Sequence, residues 1–373
     1  MKRAVALLFL MLVSGAAFAS DHADPAVLET KEAGLTDLFF FPNGDNYIAM
    51  LCVRPALSSN PPYNLEPFTY KINFDLHTQL TFDNASDKAR YGGTVVNPSG
   101  IKADASITYT LNNDASLKSK TFTGFQNPEA IQVYTGVRDD PFIFPKFFGK
   151  NTIAAVFSIP KSSFPANQQN FIIYGEAWEH GDDLVDTVGR SNRSQNGRYQ
   201  FLVSVPANEQ VAKIKKEYDK TLKIFNFLNR ETRTQGIAQA YHLLLQLYPY
   251  DLTNPDVMIF STQSPVGYPN GRLLTDDVAA ISCLYGDCVL LQLSYAESTQ
   301  FPRATVNDKP FMPNFPFLAD PWPPSPAPQM SGIGCFGWLA IILGILIVLA
   351  IVIWLISRKK WHKQYPTLDP KQL

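Results

Sequence analysis

The sequence predicts a mainly β exported domain, sandwich-like or barrel-like, with a helical insertion or subdomain and one C-terminal transmembrane helix. Three observations predict it. Short runs rich in aromatic and β-branched residues, separated by Asn, Gly, Pro and Asp, fill positions 36–203. Apolar residues then recur three and four apart from Asn208 onward, the spacing of an amphipathic helix. Both ends are hydrophobic, the first short and the second long enough to cross a bilayer.

Residues 1–19 read as a signal peptide. Lys2 and Arg3 precede an apolar stretch from Ala4 to Val13, and Ala17-Phe18-Ala19 offers small residues for cleavage before Ser20. An exported domain is expected over 20–300. Its strands are "TDLFFFP", "YIAMLCV", "ASITYTL", "SKTFTGF", "TIAAVFSIP" and "NFIIYGEAW". In "YKINFDLHTQLTF" the apolar residues Ile72, Phe74, Leu76, Leu80 and Phe82 fall two or four apart, as in one half-buried strand or a hairpin. Helices are expected around 207–248, where Pro249 ends the pattern, and around 275–286, where Thr275 is a candidate cap.

From 301 to 335 proline and then small residues crowd the chain, which predicts a membrane-proximal spacer. Its aromatic part, "PNFPFLADPW", could instead pack back on the domain. Phe336–Ile356 carries no charge, and "RKKWHK" follows, placing 357–373 in the cytoplasm. A sorting tail is the alternative, but the chain continues past the basic cluster. Membrane is therefore the expected partner of this end, and the expected location is a bacterial envelope, with the domain facing the periplasm from the cytoplasmic membrane.

Charge is balanced, with 32 Lys+Arg against 33 Asp+Glu, which gives no field to recruit nucleic acid. Hydrophobic residues at 46% and aromatics at 13% supply a packed core. Cys283 and Cys288 are close enough in sequence for a local disulfide in an oxidising compartment. Cys52 reads as a buried strand residue, and Cys335 stands at the membrane boundary.

Six stretches in order resemble a bacterial family, domain of unknown function 4331. They are "SDHADP" (20–25), "TDLFFFP" (36–42), "GVRDDPF" (136–142), "VGRSNRSQN" (188–196), "NGRLLTDDV" (270–278) and "FPFLADPWP" (315–323). The resemblance implies an exported β-rich domain and hands over no reaction. The first stretch lacks the basic and acidic pair that commonly follows its histidine, and the fourth only approximates the pattern.

Two Arg-then-Asp-Asp clusters carry the polar interest: Arg138 with Asp139 and Asp140, and Arg272 with Asp276 and Asp277. Carboxylates with loop carbonyls suit Ca²⁺ or another divalent cation. The preferred reading is a structural Arg–Asp network, with Asp276 and Asp277 in the first turn of a helix. His22 and Asp24, beside the predicted new N-terminus, form a further candidate metal group. "EAWEHGDDLVD" gathers Glu176, Glu179, His180, Asp182, Asp183 and Asp186 and reads as a solvated loop. There is no G-x-S-x-G, H-E-x-x-H or C-x-x-C in the sequence. The expected function is accordingly that of a membrane-anchored envelope binding or structural protein, holding another envelope protein, a glycan or a small ligand. A metal- or carboxylate-dependent hydrolase and an assembly component of a membrane complex are the alternatives.

Overall fold

The computed structural model describes residues 34–57, 60–141, 147–190, 199–230, 251–284 and 306–324. The expected signal peptide, the second helix near 237–247, Cys288, Cys335 and the membrane segment 336–356 lie outside them. Among the described residues no helix is long and apolar enough to cross a membrane.

Two antiparallel sheets dominate, as expected of a mainly β chain. The first has the order β1-β2-β9-β8, from Leu35–Asn43, Asn46–Leu57, Asn151–Pro160 and Gln132–Asp139. The second runs β11-β10-β3-β6-β7, from Asp183–Val188, Asn170–Glu179, Phe68–Asp75, Ala105–Leu111 and Leu117–Thr123. A last strand, β12 (Met258–Ser261), pairs with the start of β10, whose later residues pair with β11. Two-residue strands β4 (Leu80–Thr81) and β5 (Thr94–Val95) form a small separate ribbon.

Alternate residues of the two sheets interdigitate. Leu38, Phe40, Leu51 and Phe157 meet Tyr70, Ile72, Ile107 and Phe171 in one core. That is a β-sandwich. Phe40 sits at its aromatic centre, 5.1–5.7 Å between ring centroids from Tyr47, Phe74, Phe171 and Phe260. Offset and edge-on ring pairs of this kind add to plain apolar burial.

The first sheet is buried on its other face as well. Phe39, Phe41, Ile48, Met50, Cys52, Ala154 and Val156 pack under Leu318, with Leu273, Phe311, Phe315 and Phe317 around it. This double burial explains why "LFFF", "YIAMLC" and "IAAVF" are continuous apolar runs rather than alternating ones. Residues 306–324, expected within the spacer, thus follow the second reading and pack back on the domain. In contrast, β6 alternates buried and partly exposed residues, and the edge strand β7 presents Lys118 and Lys120 to solvent. Exposed lysines on an edge oppose further strand addition.

The "YKINFDLHTQLTF" stretch is one strand followed by a turn, not a hairpin. The Asp75 carboxylate accepts the backbone N–H groups of His77 and Thr78 at 3.0 and 2.8 Å, which stops β3. Leu80 then pairs with Val95 in the small ribbon. Helix α1 (Ala85–Tyr91) is capped by Asn84, whose side chain accepts from Ser86 and Asp87, and by Gly92 at φ 82°. Helix α2 spans Gln210–Arg230 and buries Ile214 against Tyr199 and Leu202. Helix α3, Val278–Leu284, starts three residues later than expected.

Candidate functional site

The first polar cluster closes the end of β8. Arg138 does not bond its neighbouring aspartates. Its Nε donates to Tyr134 Oη at 2.8 Å, its Nη1 to Asp320 Oδ1 at 2.5 Å, and the guanidinium lies 4.6 Å from the Tyr134 ring centroid. Successive strand residues point to opposite sides, so Arg138 and Asp139 reach different partners. Asp139 is buried, and accepts Trp322 Nε1–H and Asn307 Nδ2–H, each at 2.6 Å. Its cross-strand partner Asn151 reads the Trp322 backbone on both sides. Trp322 N–H donates to Asn151 Oδ1 at 2.7 Å, and Asn151 Nδ2 donates to Trp322 O at 2.9 Å. Asp140 is buried too, with its backbone N–H on Lys150 O at 3.1 Å.

The strap of residues 306–324 supplies further ties. Asp308 Oδ2 accepts Gly149 N–H at 2.6 Å, and Lys309 Nζ stands 4.3 Å from the Trp322 ring centroid while donating to Asp320 O at 2.6 Å. Burial pushes the Asp139 carboxyl up to about 6, and the nearby Asp308 charge adds to the rise. The Asn307 and Trp322 hydrogen bonds and the Lys309 charge pull the other way.

The second cluster holds the opposite edge. Arg272 forms a bridge to Phe40 of β1, donating its N–H to Phe40 O at 3.0 Å. That approach requires the preceding glycine: Gly271 has φ 71°, and a Cβ there would stand 2.6 Å from Phe40 O. The Arg272 Nη2 lies 2.7 Å from Asp37 Oδ1, with both side chains buried, and the guanidinium is 4.2 Å from the Phe39 ring centroid. The partner is therefore Asp37 of "TDLFFFP", not Asp276 or Asp277.

Those two carboxylates have separate tasks. Asp276 Oδ2 accepts the N–H groups of Tyr268 and Leu273, both at 2.7 Å, clamping a turn beside a cavity of about 340 Å³. Asp277 Oδ1 accepts Ala280 N–H at 3.0 Å, which makes it the cap of α3. The expected cap Thr275 is exposed and two residues too early. Neither aspartate lies inside the first turn.

The first sheet separates the two clusters. Arg272 binds β1 and Arg138 belongs to β8, with β2 and β9 between them, so three strand spacings put them about 14 Å apart. They do not meet.

The acidic stretch on β10 and β11 also disperses. Glu176 accepts Trp178 Nε1–H at 3.0 Å, while Asp186 is buried and accepts Leu35 N–H at 2.7 Å, tying the second sheet to the first. Glu179 and Asp183 pair at the facing ends of β10 and β11, His180 and Asp182 lie in the turn between them, and His180 is exposed. His22 and Asp24 lie outside the described residues; Cys283 lies in α3, and its expected partner Cys288 is outside them. Among the described residues no three His, Cys, Asp or Glu gather as a metal-binding group.

Several key residues escaped the sequence reading. Asn270 is one of them. It is buried, accepts Ser261 N–H at 2.7 Å, and donates to the carbonyls of Ser261, Ser264 and Pro265 at 3.0–3.1 Å. Arg190 is likewise buried, with Nη2 on Pro255 O at 2.6 Å and its guanidinium 4.1 Å from the Tyr91 ring centroid. No protein-family model matches the chain, and no curated protein matches it either.

Proposed function

We propose that the chain is a single-pass, membrane-anchored envelope binding or structural protein of the bacterial domain of unknown function 4331 family. In this reading residues 1–19 direct export, the sandwich faces the periplasm, 336–356 span the cytoplasmic membrane, and 357–373 stay inside. One observation carries it: the strap 306–324 is locked along a whole sheet face, through Trp322, Asp320 and Leu318, just before the segment read as the anchor. A tie of that strength suits a domain held by its C-terminal end.

The polar residues that could have served catalysis support the same reading. Arg138, Asp139 and Arg272 each hold one stretch of chain to another, while Asp276 clamps a turn and Asp277 caps a helix. The contacts also link the stretches that carry the family resemblance: "GVRDDPF" with "FPFLADPWP", and "NGRLLTDDV" with "TDLFFFP".

The test is fractionation of cells expressing the chain with a C-terminal tag, followed by alkaline extraction and protease treatment of spheroplasts. The chain should stay with the membrane, the sandwich should be accessible from outside, and the tag should be protected. Release into the soluble fraction would refute the anchor.

A further inference from the structure

At one end of the sandwich the loop joining β9 to β10 forms the shared wall of two adjoining cavities. One, of about 410 Å³, is bordered by Gln126, Lys161, Asn167 and Gln168 over a floor that includes Tyr47 and Phe164. The other, of about 480 Å³, is bordered by Gln79, Asn167, Gln168, Gln169 and Asn170, with His77 at its rim. Asn167 and Gln168 belong to both, so the two make one groove. Each volume falls in the range of small-ligand sites.

The chemistry of the wall is unusual for a surface. It is built from side-chain amides and contains no carboxylate. Its basic side chains are already engaged: Lys161 Nζ donates to Gly44 O at 2.7 Å, and His77 Nδ1 lies 2.8 Å from Asp104 Oδ2. Two of the amides are fixed in place. Gln168 Nε2 donates to Leu76 O at 3.1 Å and to Asn170 O at 2.5 Å, and Gln169 Oε1 accepts Gln263 Nε2–H at 2.8 Å.

An amide both donates and accepts, as a hydroxyl does, so a row of them matches a neutral, hydroxyl-rich ligand. A metal ion would need carboxylates, and an anion would need free cations. Ser162 borders the first cavity, whereas His77 borders the second and is engaged by Asp104, so the groove is read as one that binds rather than cleaves. The geometry points to a binding groove for a neutral oligosaccharide, with Gln126, Asn167, Gln168 and Asn170 contacting sugar hydroxyls over the Tyr47–Phe164 floor. This assignment rests on the reading of the chain as an envelope binding protein, and names its ligand class.

The experiment uses the full chain in lipid nanodiscs, without glycosidic detergent, against immobilised tetrasaccharides of glucose, mannose and N-acetylglucosamine. At least one should be retained. The double variant Gln126→Ala/Asn167→Gly, and separately Ser162→Trp, which fills the groove from an exposed position, should weaken retention about tenfold or more. Thr121→Ala, on the solvent side of β7, should leave it unchanged. Equal retention by the groove variants, or no retention by the wild type, overturns the assignment. Cross-linking the same chain in cells separates the two levels. An envelope protein captured without any saccharide bound sinks the groove and leaves the binding role standing, whereas neither sinks both.

Discussion

Replacing Asp139 by asparagine isolates the lock between β8 and the strap. The wild-type carboxyl is raised from 3.8 to about 6 by burial, so the folded protein holds that proton more tightly than the unfolded chain. Stability from this group is therefore fully present below about pH 3.8, falls as pH rises through 6, and stays at its lower level above. The difference amounts to about 3 kcal/mol. Asparagine cannot titrate, yet it can reproduce the protonated form. Asn307 Oδ1 is buried without a hydrogen-bond partner, so a flip of that amide would let it accept from the new side chain. Charges around the site, from Arg138, Asp140, Asp308, Lys309 and Asp320, are common to both proteins and largely cancel in the comparison. Denaturant unfolding of both proteins between pH 4 and 7.5 is the assay. The stability of Asp139→Asn relative to wild type should rise by about 2.4 kcal/mol across that range, the rest of the effect lying below pH 4. A difference that stays flat, or falls with pH, would show that Asp139 is an ordinary stabilising charge and refute the burial argument.

Further predictions concern single ties. Asn151→Ala removes both hydrogen bonds to the Trp322 backbone and should cost about 1–3 kcal/mol, with faster proteolysis inside 306–324 as the specific sign. Arg272→Met leaves Asp37 buried opposite an apolar side chain and should cost about 3–5 kcal/mol, while the double variant with Asp37→Leu should recover much of it. Asp277→Ala should cost about 1 kcal/mol by loss of a cap, and Thr275→Ala close to nothing, as read by thermal unfolding. Elemental analysis of the purified full chain should find no stoichiometric metal at the Asp139 and Asp276 clusters, and chelator should leave the unfolding transition in place.

How much of this was legible varies with how local the cause is. Strand type could be read from "TDLFFFP", "YIAMLCV" and "TIAAVFSIP", because β-branched and aromatic runs between turn residues need no distant partner. Their unbroken apolarity also signalled burial on both faces. What covers the second face was hidden, since the prolines of 306–324 read as a spacer until Leu318 is seen beneath its aromatic neighbours. Helix α1 carried both caps openly in "NASDKARYGG", with Asn84 before it and Gly92 after it, and the strand pattern around it obscured the signal. The Arg–Asp network was expected in kind and misassigned in partner. Adjacent aspartates looked like the natural mates of Arg138 and Arg272, but the mates are Asp320 and Asp37, 182 and 235 residues away in sequence. Long-range pairing of that kind leaves no local trace.

The central claim, that the polar cluster at the end of β8 locks the strap onto the sandwich, is tested most directly by native-state hydrogen exchange on the full chain. Two amides decide it: Trp322 N–H, which donates to Asn151 Oδ1, and Asp139 N–H, which donates to Ala319 O. Protection at Trp322 close to that of the β9 amides, lost selectively in Asn151→Ala, is the expected result. Exchange at Trp322 as fast as in the exposed turn at His180, with β9 still protected, would mean that the strap is not locked to the sheet and would contradict the account.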